Sequence, residues 1–315
     1  MSVSSGAATV PTGEQWIIKS GDHEATIAEV GGGLGSYRVA GVDVVDGYGE
    51  GEICPFGAGQ ILAPWPNRIR DGRYTFQGES HQLSLTEPAR HNAIHGLVQW
   101  VRWQLVHLGD DRVVIAYVLP AQPGYPWSLR LQTTWSVGPA GLTAEHEVTN
   151  LSSTGCPFGF SVHPYLTVPG VAIDDLTLKL PARNRLLVDG RLLPIGAARV
   201  AGGDFDFTEG KRLGAAILDT AFGDVERDDT GGSTVTLSTV DGRGVRVWAD
   251  AGFGWWQIFT SDTLPGDRYR RSVAIEPMTC PPDAFRSGRD LLVLEPHQPW
   301  RGTWGAGMLP VDGAA

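Results

Sequence analysis

The chain has 315 residues, 42% hydrophobic and 19% charged, with a formal net charge of −10 and a pI near 5.2. That is enough apolar material for a sizeable core and too little charge for a disordered chain. The acidic balance, with no Lys/Arg cluster, argues against nucleic acid or an anionic membrane as a partner. Three scattered cysteines offer neither a disulfide framework nor metal-ligand spacing.

Residues 1–13 are small and polar and read as a tail; they lack the basic and apolar regions of a signal peptide. No apolar run approaches the roughly eighteen residues of a membrane helix, so a cytoplasmic protein is expected. Residues 14–310 read as a single domain and 311–315 as a second short tail. Gln15–Lys19 and Ala25–Val30 are candidate strands, Gly31-Gly32-Gly33 a turn, and Ser36–Ala40 a third strand. The segment Ile61 to Gly72 is too proline-rich for a helix and reads as an ordered loop. Arg73 to Thr86 reads as a hairpin turning near Gly78. Ser128 to Val137 alternates strictly, with Leu129, Leu131, Thr133, Trp135 and Val137 on one face. Leu142 to Asn150 alternates again, as do Val235–Thr239 and Val245–Ala249 around Asp241-Gly242. No amphipathic helix longer than two turns is evident. The 42 glycines and 21 prolines are spread as turn punctuation. This pattern predicts an all-β protein built as one large antiparallel β-sandwich.

Few residues could carry chemistry. Ser272 to Ile275 reads as a strand that delivers Glu276 and stops at Pro277, leaving the carboxylate at a strand end facing a cleft. Two further Glu-Pro pairs, Glu87-Pro88 and Glu295-Pro296, show that the dipeptide alone decides nothing; an exposed glutamate is ordinary. His163 also ends an apolar run before a proline, where a structural role is the commoner outcome. His91 and His95 are four apart, a metal-binding spacing on a helix, but the surroundings are not helical and no carboxylate completes a set, so no metal is expected. His146 shares a face with Leu142, Ala144 and Val148 and reads as a hydrogen-bonded core histidine. Arg68, after Asn67, is either a surface arginine or a ligand contact. Asp219 is either a semi-buried acid at a strand end or a turn residue. Trp255 and Trp256 are core or, for one ring, a platform for a sugar.

Taken together, these segments resemble the aldose 1-epimerases, also called galactose mutarotases. The resemblance rests on Asn67-Arg68-Ile69, Asn92-Ala93-Ile94-His95-Gly96, Gly124-Tyr125-Pro126, His163-Pro164-Tyr165, Leu218-Asp219-Thr220-Ala221-Phe222, Glu276-Pro277 and Pro282-Asp283-Ala284, in the family's order over nearly the whole chain. Two departures stand out: Leu97 where the family often has a second glycine after His-Gly, and Pro296-His297-Gln298 where it usually reads Pro-Gly-Glu. The resemblance implies the galactose mutarotase-like supersandwich and interconversion of the α and β anomers of a free aldohexose, without a cofactor. It implies Glu276 as the base at the C1 hydroxyl and His163 as the acid at the ring oxygen. His95, Arg68, Asp219 and Asn67 would hold the sugar, with Trp255 or Trp256 against an apolar sugar face. A small-molecule sugar is the expected partner, and the protein is expected to be a monomer or weak homodimer. Three alternatives stay open at this stage. They are a hexose-6-phosphate 1-epimerase, which needs a basic cluster, a glycoside hydrolase pairing Glu276 with Asp219, and a non-catalytic sugar-binding or sensor protein.

Overall fold

A computed structural model describes residues 10–310. Nearly all regular structure is strand, every strand pairing in the named sheets is antiparallel, and the one α-helix among the described residues is the four-residue Ala284–Ser287. Two large sheets dominate. A nine-stranded sheet runs Gln104–Leu108, Arg112–Leu119, Leu129–Gly138, Gly141–Asn150, Pro299–Met308, Gly244–Ala249, Ser233–Ser238, Thr177–Lys179, Lys211–Arg212. An eight-stranded sheet runs Pro194–Arg199, Ala182–Val188, Asp219–Val225, Trp255–Phe259, Val273–Met278, Ser161–Val162, Ile61–Leu62, with Tyr165–Leu166 also pairing Val273–Met278. A four-stranded sheet covers Gln15 to Asp43.

The period-two pattern sets the faces. Leu129, Leu131 and Trp135 point inward with Val148, Val235, Val247 and Trp304. From the eight-stranded sheet, Phe222, Trp256, Ile258, Val273 and Ile275 join the same core. Residues between these on their strands therefore face the other side of the sheet. His146 lies in this core as expected: Trp304 Nε1 donates to its Nε2 at 3.0 Å, so Nδ1 carries the proton and donates to Thr133 Oγ1 at 2.9 Å. The expected hairpin from Arg73 is present as Arg73–Phe76 and Glu79–Gln82. It turns through Gln77 and Gly78, both at positive φ, as a tight hairpin turn requires.

Three expectations are corrected. Residues 10–13 belong to the packed chain: Thr12 is buried, its hydroxyl donates to Glu50 O and its own carbonyl accepts from Val30 N–H. The rest of the first tail and residues 311–315 lie outside the described residues. The segment from Ile61 to Gly72 is not all loop, since Ile61–Leu62 joins the large sheet and Arg68–Arg70 pairs with Asn92–Ile94. The strand carrying Glu276 does not stop there but runs through Pro277 to Met278. Proline is tolerated because of where its missing N–H would point. Ile275 N–H bonds Pro164 O and Thr279 N–H bonds Phe160 O on one side of the strand. Pro277 falls between them on that same side, opposite the break at His163-Pro164 separating Ser161–Val162 from Tyr165–Leu166.

Candidate active site

A cavity of about 630 Å³ opens on the outer face of the eight-stranded sheet, lined among others by Asn67, Arg68, His95, His163, Asp219 and Glu276. These come from segments far apart in sequence, and register explains how they meet. Glu276 pairs directly with Gln257, and Gln257 with Ala221, so this row points away from the core, and Glu276 reaches the cavity. Asp219 opens the strand Asp219–Val225 two residues along, on the same face.

The wall is the small ribbon of Arg68–Arg70 and Asn92–Ile94. Asn67 and His95 flank its pairing at positive φ and bond each other twice. His95 N–H donates to Asn67 O at 2.9 Å, and Asn67 N–H donates to His95 Nδ1 at 3.3 Å. The second bond makes Nδ1 an acceptor, so neutral His95 carries its proton on Nε2. Gly96 follows at φ +78, and a Cβ there would sit 2.1 Å from Ala63 O, so only glycine lets the chain pass. Leu97, the departure from the double glycine, adds an apolar side chain to the lining. Asp283 fastens the ribbon from the other side: its N–H donates to Arg68 O at 2.7 Å, and its Oδ1 accepts Arg70 N–H at 2.9 Å. That gives the Pro282-Asp283-Ala284 motif a structural task.

His163 and Glu276 face each other, with Nε2 to Oε1 at 3.4 Å, and both are almost fully buried. Burial and the Asp219 charge push the Glu276 carboxyl well above the usual range, Arg68 opposing. Burial pushes His163 down to about 4. Burial, then the His163 and Arg68 charges, holds His95 well below its ordinary value. Both shifts favour the uncharged forms of the pair, a protonated carboxyl beside a neutral imidazole. Tyr165 stacks on the His163 ring at 4.9 Å between centroids, and the His95 ring meets it edge-on at 5.4 Å. Among the described residues, Glu276 Oε2, His163 Nδ1 and Gln257 Oε1 are buried without a hydrogen-bond partner, and the first two belong to side chains that line the cavity.

Arg68 is no surface arginine. It is 8% exposed, and Nε and Nη2 fork onto Glu87 at 2.9 and 3.1 Å, while Nη1 lies 3.9 Å from Asp219 Oδ2. Asp219 accepts Gln257 Nε2 at 2.6 Å, and burial raises its carboxyl against the pull of Arg68. Gln257 and Glu87 were not singled out from the sequence. Alternation alone could have found Gln257, which is in phase with Phe259 and out of phase with Ile258.

Trp255 and Trp256 do not line the cavity, contrary to expectation. Trp256 points into the core, donating to Ser233 Oγ at 3.1 Å. Trp255 shares the outer face but sits beside Met278, beyond the cavity; it donates to Asp290 at 2.9 Å, and Arg289 lies over its ring. Its space exists because residue 223 is glycine, where a Cβ would lie 2.6 Å from the indole. The aromatics that do line the cavity are Phe259, Tyr165, Phe56 and Trp100, the last 60% exposed at the rim. His91 bonds Asp71 at the surface while His95 enters the cavity, so the two histidines do not converge. The Tyr125 hydroxyl of Gly124-Tyr125-Pro126 is buried on Pro157 O, and neither Glu295 nor the 296–298 segment lines the cavity.

This antiparallel β-sandwich is the fold of the galactose mutarotase-like proteins. A GalM/aldose epimerase homologue from C. elegans superposes with a TM-score of 0.82 at 17% identity, over 94% of this chain and 99% of that one. A galactose 1-epimerase from Lactobacillus acidophilus superposes with a TM-score of 0.78 at 21% identity, over 93% of each chain. The chain belongs to the aldose 1-epimerase family, whose sequence profile matches residues 14–305. The uncharacterized protein YihR of Escherichia coli K12 is 34% identical over 291 residues, 92% of each chain, and the aldose 1-epimerase of that organism is 29% identical over 177 residues, 51% of this chain and 47% of its own. Among the described residues, no helix is long and apolar enough to cross a membrane.

Proposed function

We propose that this protein interconverts the α and β anomers of a free aldohexose of glucose or galactose type by acid–base ring opening and reclosure. The observation that carries this reading is the buried Glu276–His163 pair, 3.4 Å apart at the floor of the cavity, where burial favours a proton on the carboxyl and a neutral imidazole beside it. Moving that proton across the gap gives carboxylate and imidazolium. Glu276 then takes the proton of the C1 hydroxyl, and His163 gives its proton to the ring oxygen as the C1–O bond to it breaks. The open-chain aldehyde forms, and the pair returns to its neutral state. Rotation about C1–C2 and the reverse transfers close the ring on the other face. The cycle begins and ends with the neutral pair, so opening leaves no net buried charge behind.

His95 Nε2–H, Arg68 Nη1 and Asp219 serve as hydroxyl partners that hold the sugar in register with the pair. Phe259 and Trp100 take the place given above to Trp255 and Trp256 as apolar surfaces. A second reading, a hexose carrying an anionic substituent such as a phosphate, is favoured by Arg90. It stands in the wall with one nitrogen on Glu87 and its other donors without a protein partner among the described residues. The test is polarimetry on freshly dissolved α-glucose, α-galactose and glucose 6-phosphate, with and without protein. Acceleration of the neutral sugars supports the first reading, acceleration of the phosphate alone the second, and sugar binding with no acceleration overturns both.

A further inference from the structure

Glu87 is a half-buried acid beside the cavity that this mechanism leaves idle. Its two oxygens take four donors: Oε2 accepts Arg68 Nε and Asn92 Nδ2, both at 2.9 Å, and Oε1 accepts Arg68 Nη2 at 3.1 Å and Arg90 Nη1 at 2.9 Å. The backbone of Glu87 and Asn92 exchanges hydrogen bonds in both directions, closing the turn that carries the carboxylate. Arg191 locks that turn from outside, donating to Arg90 O, His91 O and Asn92 Oδ1 while its own carbonyl accepts Asn92 Nδ2. Arg68 and Arg90 line the cavity, whereas Glu87 does not.

We propose that Glu87 is a positioning residue for Arg68: it fixes the guanidinium as a fork, so that Nη1 alone is turned toward Asp219 and the sugar. This rests on the anomer-interconversion reading. A planar guanidinium held at two nitrogens has little freedom left at the third, and Nη1 stands 3.3 Å from Asn67 Oδ1 and 3.9 Å from Asp219 Oδ2. The same ion pair limits how strongly Arg68 acts on the catalytic pair. The titratable and charged groups around Glu276 are His163 and Tyr165 beside it, Asp219 along the sheet, and Arg68 and His95 from the wall. Of these, Arg68 is the one that draws the proton off Glu276, and Glu87 offsets its charge.

The experiment compares wild type, Glu87→Gln and Glu87→Asp by mutarotation kinetics across pH and by calorimetric titration with galactose. Glu87→Gln is expected to lower kcat/KM by about 10- to 100-fold, the scale set by misplacing a positioning group, and to bind galactose at least about tenfold more weakly. Its basic limb should move to lower pH, because uncompensated Arg68 makes Glu276 easier to ionise. Glu87→Asp keeps the charge but shortens the reach, so its basic limb should stay at the wild-type pH while kcat/KM falls. A Glu87→Gln enzyme that melts earlier yet keeps wild-type kcat/KM, affinity and basic limb would overturn the proposal. If that variant does not fold, a wild-type kcat/KM or a shifted basic limb in Glu87→Asp overturns it. An inactive wild type would sink the functional reading instead, and the galactose titration would still report on Arg68.

Discussion

Replacing Glu276 by Gln separates chemistry from structure, because burial favours the neutral carboxyl at this position. Gln nearly copies the protonated acid in shape and removes only the ability to accept the C1 proton. General-base catalysis supplies about 10²–10⁴-fold, equivalent to about 3–5 kcal/mol of transition-state stabilisation at ~1.4 kcal/mol per tenfold. Turnover should fall by that factor with galactose affinity nearly unchanged. Stability should move the other way. With its folded pKa raised, Glu276 keeps a proton that the unfolded chain loses above the ordinary carboxyl value of 4.5. Its contribution therefore becomes less favourable by about 1.4 kcal/mol per pH unit as pH climbs from there toward the folded pKa. Glu276→Gln has no such penalty. Its melting temperature should exceed that of wild type at pH 7, with the gap closing as pH approaches 4.5. Polarimetry and melts over a pH series measure both. Turnover close to wild type would take the base's role from Glu276, and a variant that melts below wild type at pH 7 would refute the neutral resting acid.

His163→Asn should lose most of the rate, again about 10²–10⁴-fold, and the residual rate should no longer decline at high pH. The wild-type bell is expected to have its acid limb near the His163 value of about 4 and its basic limb raised well above the usual carboxyl range; an acid limb near pH 6.5 would contradict the proton assignment. Burial lowers His146 to about 3. Below pH 6.5 the unfolded chain gains a proton there that the folded chain does not, so stability falls by about 1.4 kcal/mol per pH unit until pH nears the folded value. Denaturant titrations of His146→Gln should show that slope reduced by this amount, and equal slopes in both proteins would refute it. Trp256→Ala should cost about 3–5 kcal/mol of stability with KM per folded molecule unchanged, while Phe259→Ala should raise KM with little change in melting temperature; the reverse pattern would restore the tryptophan to the sugar.

The strands were legible wherever one face is buried and the other is not. Leu129 to Val137 shows this most clearly, since side-chain alternation is a direct copy of the two environments. The strand Val273–Met278 hid its end for the opposite reason: it is buried on both faces, and Pro277 looks like a terminator unless the neighbouring strand is known to be broken opposite it. Glu276, His163, His95, Arg68, Asn67 and Asp219 were found through motifs, and the structure brings all six to one cavity. Trp255 and Trp256 were misplaced because a tryptophan pair carries no sign of which ring faces where. Register supplies that sign by setting Gln257 opposite Glu276. Glu87 was in view as one of three Glu-Pro pairs, but its worth lies in partners at positions 68, 90 and 92, which no local pattern could reveal.

The site divides into a floor and a wall, and the division follows from what each must do. Proton transfer tolerates little misplacement, and Glu276 sits within a paired strand of a large sheet whose neighbours fix its backbone on both sides. The hydroxyl partners on the wall stand on a ribbon of three residues per strand, too small to be rigid alone. Its rigidity is borrowed. Asp283, seven positions beyond the base, returns to grip Arg68 and Arg70 by their backbones, and the Asp189 to Leu193 turn reaches across through Arg191. The chain that supplies the base thus also supplies the clamp for the wall. A shift of the strand Val273–Met278 would carry Glu276 and, through Asp283, the backbone of Arg68 together rather than apart. That coupling explains how residues distant in sequence meet in one site: Asn67 and His95 bond each other, and Asp283 holds the ribbon that carries Arg68.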